Sequence, residues 1–182
     1  VATDTDIVNH ANTVLREFRA LEKAEAKLNK PPIPRDREAD VAKLYLDTAQ
    51  RQIGNTLGIK PQAKNRRRYA ELLLIGSLLL YGSGAEFAAI SGLRPEHFQD
   101  KNLGALYQKL VDLQGTFSEL EKLHPNVKAL LKLINFWFQV EKAMWDLEIQ
   151  AWYTESPDRA LFSTPAHIVI RALANYVKRQ RK

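Results

Sequence analysis

The residues able to do chemistry are few, and their spacing does not suit catalysis. Cysteine is absent, which removes disulfides, thiolate nucleophiles, Cys-ligated zinc and iron–sulfur clusters. The four histidines, His10, His97, His124 and His167, form no His-x-x-x-His pair, and their spacing carries no metal signature. His124 precedes a proline and His167 falls in a first helical turn, so structural roles are expected. The carboxylate pairs Glu119/Glu121 and Asp146/Glu148 are two positions apart, and such residues do not face each other on a helix. Glu141 and Glu148 are two turns apart and can share a face, where solvent-facing charge is the expectation. There is no glycine-rich phosphate loop, no dinucleotide fingerprint and no Gly-x-Ser-x-Gly elbow, and Ser83 has no base partner. The sequence therefore predicts no enzyme, no cofactor and no metal site.

The cations are more informative. Residues 54–70 hold Lys60, Lys64, Arg66, Arg67 and Arg68 with no acid, and residues 171–182 hold Arg171, Lys178, Arg179, Arg181 and Lys182 with no acid. Together these windows carry +10, while the other 153 residues carry 17 basic and 21 acidic side chains, or −4, which gives the overall +6. Clustered positive charge is the footprint of a phosphate-backbone binder. Arg66-Arg67-Arg68 also stand where a helix is expected to begin, against its dipole, at about 0.3–1 kcal/mol for each exposed charge. Three cations so placed imply a compensating anion, and a helix N-terminus flanked by guanidinium groups suits a phosphate. Lys60, Lys64, Arg66, Arg67 and Arg68 are thus the candidate phosphate contacts, with Lys178, Arg179, Arg181 and Lys182 in support. On this reading the arginines serve a partner, and removing them leaves stability unchanged or slightly raised.

Trp137, Trp145 and Trp152 recur at eight and seven residues, within a broad sector of one helix. Aromatics beside cations can stack on unpaired bases, but core packing is the expectation for all three. The stretch from Glu86 to Phe98 has the outline of a helix–turn–helix, with a short second helix and few base-reading side chains. A helical corner is the default there.

The elements that must position these residues are helices. All eight glycines lie between Gly54 and Gly115, and no stretch alternates with period two. A first helix is expected from a cap at Thr5 or Asp6, with Ile7, Ala11, Val14, Leu15, Phe18 and Leu21 inward and Leu28 two turns further on, and Pro31-Pro32-Ile33-Pro34 after it. A second is expected from Arg35 to Ile53, with Ala42, Tyr45, Leu46, Ala49 and Ile53 inward. The third, from Arg66 to Tyr81, is apolar nearly all round and should occupy the centre of a bundle. Short pieces are expected at Ala85–Ser91 and Pro95–Gln99, and a longer helix from Asn102 to Leu123, with Leu113, Phe117 and Leu120 among its inward residues. The longest helix should run from Pro125 to Tyr153, and the last should follow a cap at Thr164 with Pro165 in its first turn.

The predicted fold class is all-α, a single helical bundle of about five main helices with short connecting helices. At 182 residues one domain is expected over residues 1–182, with a seam near 54–65 that would allow an N-terminal hairpin, 1–53, packed on a C-terminal bundle, 66–182. The longest strongly apolar stretch, Leu72 to Tyr81, is about half of a membrane span. A soluble, cytoplasmic protein without membrane contact is expected. The chain begins with Val1, which fits trimming, a fragment or an internal start.

A basic, Cys-free helical bundle with Val1 in place of Met and the Lys64–Arg68 run resembles the small subunits of multi-subunit CRISPR effector complexes. That resemblance rests on architecture and charge. It implies a non-catalytic, sequence-independent nucleic-acid backbone-binding subunit of a larger ribonucleoprotein complex, acting in antiviral defence on a target or displaced strand. Its partners would be nucleic acid, single-stranded or heteroduplex, and other protein subunits including copies of itself. The alternatives are a helical protein–protein interaction module with a basic surface and a helix–turn–helix DNA regulator.

Overall fold

A computed structural model of the protein describes residues 3–26, 37–53, 65–81, 92–112, 126–164 and 166–179. Among the described residues there are six α-helices, two short 3-10 turns and no strand, in keeping with the predicted all-α bundle. The helices are α1 (Asp4–Ala26), α2 (Glu38–Ile53), α3 (Arg66–Leu80), α4 (Lys101–Asp112), α5 (Val127–Tyr153) and α6 (Ala166–Arg179). The 3-10 turns are Pro95–His97, before α4, and Arg159–Ser163, between α5 and α6.

The caps refine the expected boundaries. The α1 cap is Thr3 rather than Thr5 or Asp6. Its Oγ1 accepts from the Asp6 N–H at 3.2 Å, and Asp6 Oδ2 accepts from the Thr3 N–H at 3.1 Å, a reciprocal capping box. α5 starts after Asn126, whose Oδ1 accepts from the Ala129 N–H at 3.2 Å. α4 starts after Asp100, whose Oδ1 accepts from the N–H groups of Asn102 and Leu103. The expected helix at Pro95–Gln99 is a single 3-10 turn. Leu113, Phe117, Leu120, Leu28 and the Ala85–Ser91 piece lie outside the described residues, as do the side chains of Leu15, Phe18, Leu21 and Ile53.

α3 is the central helix. Every residue from Tyr69 to Leu80 is buried, and the helix packs against α2, α4, α5 and α6. Its seven buried Leu and Ile side chains stabilise the fold by roughly 10–20 kcal/mol at about 1.5–3 kcal/mol each. That outweighs a dipole penalty of roughly 1–3 kcal/mol from three cations at its start, so burial alone decides that α3 forms. α2 packs on α3, α5 and α6, and Val8 and Ala11 of α1 join the same core. α3 and α5 approach closely at Gly76, where a Cβ would lie 2.9 Å from the Leu133 carbonyl oxygen and 3.2 Å from Trp137 Cβ. Trp137 fills the space beside this contact. It stacks on Tyr45 at 5.5 Å and meets Tyr81 edge-on at 6.0 Å.

Candidate interaction surfaces

The cations that the sequence leaves uncompensated at the start of α3 are compensated inside the chain. Arg66 Nη1 donates to Asp47 Oδ1 at 2.8 Å and to Gln50 Oε1 at 2.7 Å, tying α3 to α2. Arg67 Nη2 donates to the His97 carbonyl, and Arg67 Nε lies 3.5 Å from Oε2 of Glu71, one turn along and fully buried. Arg68 Nη1 donates to Asp100 Oδ2 at 3.0 Å. Glu71 Oε1 accepts from the Asp100 N–H at 3.0 Å. Arg67, Arg68 and Glu71 thereby clamp the 97–100 segment onto α3, and Asp100 in turn caps α4. Burial pushes the Glu71 carboxyl above the usual glutamate range, opposed by the Asp100 N–H and by Arg67. The dipole that suggested an external anion is thus met by carboxylates of α2, α3 and the turn before α4.

The C-terminal window divides. Arg171 Nε donates to Glu38 Oε1 at 3.1 Å, and Nη2 reaches the same oxygen, which locks α6 to the start of α2. Lys178 and Arg179 form no ion pair among the described residues. Lys178 Nζ lies 3.7 Å from the position of a Cβ on Gly92, a residue in the left-handed region at φ +76°. The last turn of α6 is therefore set against the segment that also holds Arg67 and Arg68, and exposed Arg94 and Lys101 flank that segment. Lys60, Lys64, Arg181 and Lys182 lie outside the described residues.

Of the other sequence candidates, Ser83, Glu119, Glu121 and His124 lie outside the described residues, and His10, Asp146 and His167 are exposed. His97 is buried, and its Nδ1 accepts from the Arg94 N–H at 3.0 Å. His167 is held below the usual histidine range by desolvation and by nearby Arg171. Glu141 Oε1 accepts from the Tyr81 hydroxyl at 3.0 Å. Tyr107 donates to the Leu93 carbonyl at 2.8 Å, and burial pushes its pKa up to about 12. Among the described residues no group of three His, Asp or Glu side chains could hold a metal ion, and no helix is long and apolar enough to cross a membrane. The first half of the helix–turn–helix outline falls outside the described residues. Its second half is the three-residue turn Pro95–His97, too short to lie along a groove.

The tryptophans depart from expectation. Trp137 is in the core, but Trp145 is 65% exposed and Trp152 50% exposed, with Ile149 at 57% and Tyr153 at 89%. Helical rotation accounts for the division. At about 100° per residue, eight residues carry Trp145 about 80° away from Trp137, whereas seven bring Trp152 to within about 20° of Trp145. Trp145, Ile149 and Trp152 thus form one stripe over two turns. On the same side of α5, Ile134 is buried and Phe138 partly buried, so the stripe begins where the core ends. The Arg159 guanidinium lies 4.9 Å from the centre of the Trp152 ring.

The end of α5 is also tightly shaped. The Thr154 N–H bonds Gln150 O, Glu155 N–H bonds Trp152 O at 3.3 Å and Ser156 N–H bonds Ala151 O at 2.8 Å, a Schellman closure. Glu155 occupies its left-handed position at φ 53°, where glycine is usual. No protein-family model matches the chain, and no curated protein or solved structure matches it.

Proposed function

We propose that this protein is a non-catalytic binding module that docks a partner protein on the exposed end of α5. The observation that carries this reading is the apolar stripe of Trp145, Ile149 and Trp152, extended by Tyr153. Together these side chains present on the order of 500–600 Å² of apolar surface, the upper end of the largest patch on a typical monomer, where such patches are often functional. Trp and Tyr are also the residue types that concentrate binding energy at interfaces. The triplet at α3, by contrast, is engaged in holding the bundle together, and its guanidinium groups already have carboxylate and carbonyl partners. The test is quantitative capture from a native extract with wild type and Trp145→Ser/Trp152→Ser as baits, after equal melting temperatures establish equal folding. A defined protein held by wild type and lost by the variant is expected. An identical set on both baits would contradict the reading.

A second reading is favoured by the setting of Lys178 against Gly92. It brings Lys178 to the segment that carries Arg94, itself 3.8 Å from Glu96, and leads into Lys101, while Arg179 follows Lys178 on α6. These cations, with Lys60, Lys64, Arg181 and Lys182, would hold a nucleic-acid backbone without reading its sequence, as in a ribonucleoprotein subunit of the CRISPR small-subunit kind. At about −0.7 per phosphate, four contacts to a single strand give a log–log salt slope near −3. A binding constant independent of salt would sink this second reading and leave the first untouched.

A further inference from the structure

The stripe on α5 has a chemical character that narrows its occupant. The segment from Glu141 to Arg159 holds five carboxylates (Glu141, Asp146, Glu148, Glu155 and Asp158) and two cations (Lys142 and Arg159), a net of −3 in a chain of net +6. Asp146 and Glu155 are exposed beside the stripe and form no ion pair among the described residues. Asp158 is bound to Arg37 at 2.8 Å, and Glu141 accepts from Tyr81. Glu155 is the more telling of the two, because it keeps a carboxylate at a left-handed backbone position where glycine would be easier to accommodate. Arg159 over the Trp152 ring shows that the indole face of this stripe accepts a guanidinium.

We propose that the exposed end of α5 is a docking site for a basic amphipathic helix of a partner protein. The helix would cover Trp145, Ile149 and Trp152 with its apolar side and set Lys and Arg side chains against Asp146 and Glu155. This rests on the reading of α5 as a protein-docking surface and adds the chemistry of what docks. A second copy of the chain is the poorer occupant. Twofold pairing would bring two acidic rims together. Nucleic acid stacked on the indoles would set its phosphates against the same carboxylates.

The test uses the full chain and three synthetic helical peptides of about five turns. They share a Leu-rich face and differ only in a Lys/Arg, Gln or Glu polar face. Binding is read by isothermal titration calorimetry, alongside sedimentation of the protein alone. The basic peptide is expected to bind at least about tenfold more tightly than the Gln peptide, a difference of about 1.4 kcal/mol, and the Glu peptide more weakly still. Trp145→Ala/Trp152→Ala should abolish binding, and Asp146→Lys/Glu155→Lys should weaken it at least tenfold with melting temperature held. Equal affinity for all three peptides, or no binding of the basic peptide, overturns the basic-helix proposal. Capture through the stripe in the native extract would then still stand by itself. Self-association lost in Trp145→Ala/Trp152→Ala would assign the surface to a second copy, and stripe-dependent binding of single-stranded DNA would assign it to nucleic acid. Either result overturns the proposal.

Discussion

Arg67 and Glu71 stand one turn apart on α3, with Glu71 fully buried and the Arg67 guanidinium divided between it and the His97 carbonyl. Removing one member of such a pair leaves a buried charge without compensation. Arg67→Gln should therefore lower stability by about 3 kcal/mol in denaturant unfolding. Arg68→Gln, which breaks a half-exposed pair with Asp100, should cost less than about 1 kcal/mol. Equal and negligible losses would mean that the clamp on residues 97–100 does not hold the fold. Glu71 gives a pH dependence with a definite sign. Its raised pKa means that the folded protein binds the proton more tightly than the unfolded chain does. Its contribution to stability therefore falls as pH rises from the ordinary glutamate value through the raised one. Glu71→Gln removes this titration, so the difference in melting temperature should move in favour of the variant across that window. A shift in favour of wild type would show that ionised Glu71 is a net stabiliser through Arg67.

At the scale of the element, α3 and α5 are held close because Gly76 leaves no side chain between them. Gly76→Ala would press a methyl group on the Leu133 carbonyl, which belongs to helix backbone and cannot turn aside. A loss of about 1–3 kcal/mol is expected, and a gain from better helix propensity would show that the two helices can separate freely. The end of α5 offers the opposite case. Glu155→Gly relieves a left-handed residue and should raise stability by about 1 kcal/mol, read as a higher melting temperature. The existence and order of these helices could be read from the sequence, because the apolar repeats and the placing of glycine and proline are local signals. Glu71, four residues on from Arg67 in the same helix, was within reach of the sequence, but the partners from outside α3 were not. Asp47 and Asp100 lie 19 and 32 residues from the arginines they bind, and such pairs are set by packing. The stripe was half legible. The seven-residue step from Trp145 to Trp152 placed them on one side of a helix, but their exposure depended on α5 running past the core that covers Trp137.

At the scale of the molecule, among the described residues, the exposed aromatic side chains gather at the end of α5, and the paired arginines lie between helices. Arg66, Arg67 and Arg68 tie α2, α3 and the turn before α4 together, Arg171 ties α6 to α2, and the surfaces proposed for partners are the aromatic end of α5 and the cations near Lys178. The arginines Arg66, Arg67, Arg68 and Arg171, which the sequence marks as functional, accordingly contribute to holding the fold. The exposed tryptophans, which the sequence marks as core, are the ones that can change with little effect on folding. Hydroxyl-radical footprinting of the three tryptophans, in the purified protein and in its native assembly, reads this directly. Trp145 and Trp152 should be labelled in the purified protein and protected in the assembly, with Trp137 protected in both. Equal labelling of Trp145 and Trp152 in the two samples would contradict the assignment of α5 as the docking surface.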